Sequence, residues 1–464
     1  MKYTIDSERI FERDMRKGKV FLHQVGARVK VFPYRPDYKD EIQDLKAIVG
    51  EVARNCIGKE AKSEAIEEQV IEAIKNKDNI DGNQKDVLAK FVQTLYFTSD
   101  GKLELFHPKV FAFMNLDSQS KKDQKEVGKF LFDVLFEQVD QEQLKNTFET
   151  DGDILVQLIN SVLPKLERKT DQERVYYSYA PMVAERFKED ISFLLENNKR
   201  FIKYFGALLK YYYFFYCSQS IIKINQHEKA KLGEITPLYF RLRGEEGGRN
   251  RDCYLKGFRF LEKAIDNLFA NVMLLQFLNY DKEDDSIKLI PEWYEKYVVN
   301  ATEEEKEETK KALRVFINNY KKVIDGVDWA VFEEQRNTNV QNVEQFVEEL
   351  FETIAYQFNA GGRKSAALKY KKWFYMYCTQ NYLEKRGQLG YLLTLDEDEV
   401  LFMAGICIKD HDKMRLSELY HQLEMRGLFF DDTTQEKITQ LFEKRNLLEK
   451  KSDSGDAQYV RAIL

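Results

Sequence analysis

Three features of the 464-residue chain predict a mainly α fold: a multi-helical body with a small N-terminal β arm and a C-terminal winged-helix domain. Only 7 Pro and 22 Gly interrupt the chain, which favours long helices. Apolar residues recur at three- and four-residue spacing through most of it, the period of a helix with one buried face. Residues 391–464 instead read as three short capped helices followed by two strands about a turn-rich pentapeptide.

The elements follow in order. Val20, Phe21, Leu22 and the alternating Arg28-Val29-Lys30-Val31-Phe32, punctuated by Gly26 and Pro33, predict one or two strands, so residues 1–38 form the β arm. From Asp40 the period becomes helical, through Ile42, Leu45, Val49 and Val52 and on to Leu163, with a short extended piece at Lys102 to Phe106. Residues 39–164 make an N-terminal helical domain. Pro164 and the charged Lys165 to Arg174 end it, because a helix breaker and a solvated charge run coincide there.

Residues 165–390 make a central aromatic-rich helical domain. Pro181 suits a first helical position, and Phe201 to Ile222 is apolar on every face, as a helix buried by its neighbours would be. Phe258 to Leu278 predicts a second long apolar helix. Thr302 with Glu305 opens another by a capping box, and Val343 to Ile354 gives one more. Tyr212 to Gln219 echoes Trp373 to Gln380, so these two helices pack together or hold equivalent places, unless the match is chance.

In 391–464 the first helix opens at Thr394 with Glu397, the second at Ser417, and the third at Thr433 with Glu436; Gly427 ends the second. Leu447 to Lys451 and Ala457 to Leu464 are strands joined by Ser452 to Asp456. Helix, helix, helix, two-stranded wing is the order of a winged helix.

Composition excludes several classes. Hydrophobic residues at 43% and aromatics at 13% belong to a folded chain, and a net charge of -6 gives no global basic field for DNA or an anionic membrane. Cys56, Cys217, Cys253, Cys378 and Cys407 are scattered, without disulfide or zinc spacing, which fits a reducing cytoplasm. The N-terminus lacks a signal peptide's apolar core, and Tyr211 to Ile222 is too short to span a membrane.

No motif carries chemistry. Asn359 to Ser365 departs from a phosphate-binding loop at Arg363 and lacks its distal glycine; a helix end and a basic turn explain it. Arg415 and His421, spaced as in small helical ribonucleases, lie in the winged-helix pattern. Acid clusters at Asp281 to Asp285, Asp396 to Glu399 and Asp431-Asp432 suit helix starts and loops. The expectation is therefore no enzyme, no cofactor, no metal and no small-molecule substrate. Interaction candidates are the arginine loop, with Arg241, Arg243, Arg249 and Arg251 followed by Lys256 and Arg259, and the third helix with its wing. The latter offers Gln435, Lys437, Gln440, Lys444, Arg445, Lys450, Lys451 and Arg461, but Asp431, Asp432, Glu436 and Glu443 sit among them. On charge grounds a protein partner is favoured over DNA.

Tyr212 to Gln219, the Pro237 to Phe240 stretch with its arginine-rich sequel, and above all Arg426-Gly427-Leu428-Phe429-Phe430-Asp431 with Ser452 to Arg461 resemble the DptG family of bacterial DNA phosphorothioation-dependent restriction proteins. The resemblance spans the chain and is most specific at its C-terminal end. It implies a non-catalytic subunit of a restriction complex with DptF-like and ATPase-like DptH-like proteins, active in anti-phage defence and in possible contact with duplex DNA. The alternative is a stand-alone winged-helix DNA-binding regulator.

Overall fold

The computed structural model describes residues 2–16, 20–34, 45–60, 66–76, 81–98, 107–114, 121–150, 157, 160–169, 173–336, 340–450 and 458–464. The described residues are mainly helical, 64% helix against 9% strand, as expected. Its longer helices are α1 (Ser7–Asp14), α2 (Leu45–Ile57), α3 (Ile66–Lys75), α4 (Gly82–Tyr96), α5 (Lys121–Leu135), α6 (Gln141–Glu149), α7 (Pro181–Leu195), α8 (Asn198–Asn225) and α9 (Phe258–Asp266). They continue with α10 (Leu268–Leu278), α11 (Glu303–Val323), α12 (Trp329–Arg336), α13 (Val343–Ala360), α14 (Lys364–Asn381), α15 (Glu397–Ile408), α16 (Leu416–Glu424) and α17 (Asp432–Lys444).

The all-round apolar helix is α8, buried from Phe201 to Ile224 apart from a few positions on its first turns. Rings close on it from several directions: Phe130 from α5 lies 5.5 Å from Tyr216, Phe187 from α7 lies 5.0 Å from Tyr212, and Tyr377 from α14 lies 4.7 Å from Tyr213. Its tyrosines are buried because each hydroxyl finds a partner: Tyr212 donates to Asp190 at 2.6 Å, and Tyr211 donates to the Arg426 carbonyl. The two echoing segments are packing partners. Phe214 stacks on Phe374 at 6.0 Å, and Tyr377 donates to the Lys210 carbonyl at 2.7 Å.

One continuous core runs from Tyr3 to Val460, and a smaller one gathers Val70, Ile74, Val92, Tyr96, Phe113 and Leu163. Within residues 39–164, α2, α5 and α6 contribute to the main core, while α3 and α4 pack in the smaller one. The charge run that was to separate domains carries β4 (Glu167–Arg168), which pairs with β3 (Lys59–Glu60), and Lys169 reaches Glu51 at 2.6 Å.

The N-terminal arm differs from expectation. It contains α1 and a two-residue ladder between β1 (Met15–Arg16) and β2 (Val20–Phe21). Arg28 to Phe32 is no strand beyond a single bridge of Lys30 to Tyr176. The Gln276 side chain substitutes for a strand neighbour, accepting from Arg28 N at 2.9 Å and donating to the Val29 carbonyl. Phe258 to Leu278 is likewise two helices, broken at Asn267.

Residues 383–464 hold most of the strands. β5 (Tyr239–Leu242), β6 (Leu383–Lys385), β7 (Tyr391–Leu395) and β9 (Phe429–Phe430) form one sheet in the order β6-β7-β5-β9, with β5 parallel to both neighbours. β8 (Lys413–Arg415), β10 (Leu448–Lys450) and β11 (Gln458–Arg461) form a second, antiparallel sheet in the order β10-β11-β8. The pentapeptide turn and Lys451 lie outside the described residues. Three caps shift from expectation. Asp396 with Glu399, and not Thr394 with Glu397, forms the box of α15, because Thr394 is already in β7. Asp431, and not Thr433, caps α17, and Ser417 sits inside α16 without capping it. Gly427 ends the α16 turn at φ +79°, where an added Cβ would lie 2.3 Å from the Phe215 ring, so a side chain is excluded twice over.

Candidate partner or nucleic-acid interface

The arginine loop leaves β5 and lies along the β6–β7 hairpin. Its members divide by burial. Arg241 is fully buried, bonded to Glu384 at 2.5 Å and to the Glu245 carbonyl, and burial holds its guanidinium below the ordinary value. It therefore holds the sheet to the loop and reaches no external phosphate, a correction to its expected role. Arg251 is also turned inward. It bonds Glu245 at 2.6 Å, Thr434 Oγ1 at 2.8 Å and Asp431 Oδ2 at 3.1 Å, fastening the loop to the start of α17. Burial opposes its charge, but the two carboxylates outweigh burial and hold it above its ordinary value.

Arg243 and Arg249 are exposed and touch only neutral acceptors, the Asn381 carbonyl at 3.4 Å and Gln388 at 3.5 Å. Those acceptors belong to the end of α14 and to the hairpin, so the loop brings its free arginines beside Lys385 and Arg386. Arg386 pairs with Glu384 at 2.9 Å, whereas Lys385 is exposed without a partner among the described residues. Neither was picked out from sequence, since two basic residues in a turn carry no signal until the fold sets them beside other cations. Leu389 helps seat the loop: an added Cβ on Gly247 would meet it at 2.9 Å.

Lys256 and Arg259 lie apart, on the helical turn Asp252–Leu255 and the start of α9. Lys256 pairs with Asp252 at 3.1 Å and sits over the Tyr239 ring, and Arg259 sits over the Tyr254 ring. Both cations are thus partly satisfied within the chain.

On α17, Lys437, Gln440 and Lys444 are exposed, and the two lysines have no acidic partner among the described residues. Gln435 turns back to the Phe430 carbonyl at 3.0 Å. Arg445 pairs with Glu397 at 3.0 Å, Lys450 with Glu443 at 2.6 Å and Arg461 with Glu449 at 2.9 Å. Glu436 stands exposed next to Lys437. A surface so neutralised attracts phosphate weakly and suits a mixed-charge protein partner better.

The remaining candidates are occupied. Arg415 lies on β8 and at the cap position of α16, not inside a helix, 3.3 Å from the Tyr459 hydroxyl, and His421 is exposed on α16. Arg363 donates to the Leu22 carbonyl and precedes α14, as a basic turn between helices does. Asp284 is clasped by Lys288 and Lys296, which hold its carboxyl far below the usual range. No grouping of residues suited to a metal ion occurs among the described residues, and no helix there is long and apolar enough to cross a membrane. No protein-family model matches the chain, and no curated protein matches it.

Proposed function

We propose that the chain is a non-catalytic subunit of a bacterial phosphorothioation-dependent DNA restriction complex that binds DptF-like and DptH-like proteins through a C-terminal winged helix. The observation that supports this best is the order α15, β8, α16, β9, α17, β10, β11 with a sheet β10-β11-β8, an arrangement in keeping with that module apart from β9, which joins the other sheet. The neutralised face of α17 favours protein docking, and Arg243, Arg249 and Lys385 offer a second contact, to a partner or to duplex DNA. Co-purification with the two candidate partners tests it. Lys437→Glu with Lys444→Glu should weaken capture on nuclease-treated material, and unchanged capture of both partners would reject the winged helix as the docking element.

The free Lys437 and Lys444 also support a second reading, a stand-alone DNA-binding regulator. That reading predicts duplex binding by the purified chain with an affinity falling steeply between low and physiological salt, lost in the same double variant. Salt-independent or absent binding rejects it.

A further inference from the structure

Between α8 and α15 lies a cleft of about 360 Å³. Its floor is Ala207, Tyr211, Leu395 and Met403, and Tyr204 and Phe402, stacked at 5.4 Å, form one lip. Most charges around it are satisfied within the chain. Lys210 bonds Glu399 at 2.8 Å and sits over the Tyr382 ring, Lys203 sits over the Tyr204 ring at 4.7 Å, and Asp396 caps α15. Two lining groups are not. The Tyr382 hydroxyl, on a residue 1% exposed, has no hydrogen-bond partner among the described residues, and the exposed Asp398 has no cation there. Tyr382 lines the cleft, so an occupant offering a hydrogen-bond partner there replaces solvent at its hydroxyl.

The geometry points to a docking pocket for an aromatic side chain carried beside a basic residue on a partner protein. The ring fills the floor between Met403 and the Tyr204–Phe402 lip, and the basic group meets Asp398. A partner chain is favoured over a free small molecule because the volume is near the lower end of roughly 300–1,000 Å³ typical of enclosed ligand sites. Lys203 and Asp398 at the rim are exposed, and so is Ala207 on the floor, so a small ligand would stay half solvated. Single aromatic anchors in such pockets dominate protein interfaces. This rests on the proposed docking role but uses a surface distinct from the α17 face.

The test uses the full chain and three probes: tryptophanyl-arginine amide, tryptophanyl-glutamate and tryptamine, with binding followed by calorimetry. The dipeptide amide should bind at least about tenfold more tightly than the acidic dipeptide, Asp398→Lys should remove that preference, and Ala207→Trp, which fills the cleft from an exposed position, should abolish binding. Equal binding to the wild type and the filled variant, or equal binding of the two dipeptides, overturns the assignment. Tryptamine binding as tightly as the amide assigns the cleft to a free amine and overturns the partner. Because these probes need no partner protein, their failure is separable from failure of the restriction-subunit proposal, which co-purification alone decides.

Discussion

Arg426 and Asp190 are 1% and 0% exposed in their side chains and meet through two parallel hydrogen bonds, of 2.8 and 2.6 Å, that join α7 to the end of α16. Such a pair adds little net stability over an apolar one, but losing one member strands the other charge in the core. Arg426→Ala should therefore cost about 3–5 kcal/mol, read as a lower denaturant midpoint at unchanged slope. A cost below about 1 kcal/mol would mean that Asp190 finds water or another cation. Asp431 offers a pH test. Burial pushes its carboxyl up, but Arg251 and the Thr434 N–H outweigh burial, and its pKa ends below the ordinary aspartate value. A folded-state pKa below the unfolded one gives stability that is complete above the unfolded pKa and is lost as pH falls through the folded one. The stability difference between the wild type and Asp431→Asn should thus be constant above about pH 5 and shrink below it. A difference that grew on acidification would contradict the clasp. At this scale the sequence marked the helix starts at Pro181 and Thr302, missed the caps of the three C-terminal helices, and was a poor guide to arginine roles. Arg241 and Arg243 stand two residues apart with opposite fates: alternation would put both on one face, but β5 ends at Leu242, so Arg243 has already left the strand for the exposed loop.

The helices were legible wherever the apolar period was long. Pro181, the Thr302–Glu305 box and the fully apolar α8 all lie where propensity and capping rules put them. What escaped is the β6-β7-β5-β9 sheet. Its strands are two to five residues long, and β5 pairs in parallel with segments far away in sequence, so no turn or alternation marks it. The sheet also bears on where the chain can be cut. Ending it after Gly390 removes β7 and β9, the two neighbours of β5, and leaves its backbone groups without partners. Each buried group so stranded costs about 1–3 kcal/mol, and a few of them reach the roughly 5–15 kcal/mol that holds a domain together. A chain of residues 1–390 should therefore lack a cooperative thermal transition in calorimetry, whereas the full chain should show one. A sharp transition in the shortened chain would make residues 391–464 an independent appendage. For the same reason point substitutions on α17 are better probes of docking than deletion.

For the whole molecule, the proposed division of labour is a rigid aromatic body that carries two interaction edges. The body is legible from composition alone: 33 Phe and 26 Tyr require a large core, and α8 collects many of them. The edges were legible only in part. The mixed charge of the α17 face is visible in the sequence, but the placing of Arg243 and Arg249 along the β6–β7 hairpin depends on the sheet that sequence did not reveal. A net charge of -6 leaves those few cations as local features, so any contact with DNA should be weaker and more sensitive to salt than contact with protein. The most direct test of the assembly role is co-purification of the full chain with its DptF-like and DptH-like candidates after nuclease treatment. The wild type, Lys437→Glu with Lys444→Glu, and Arg243→Glu with Arg249→Glu are compared side by side. The predicted result is retention of at least one partner by the wild type after nuclease, with capture reduced by the α17 variant. Loss of both partners from the wild type once nucleic acid is removed would contradict a protein-docking subunit.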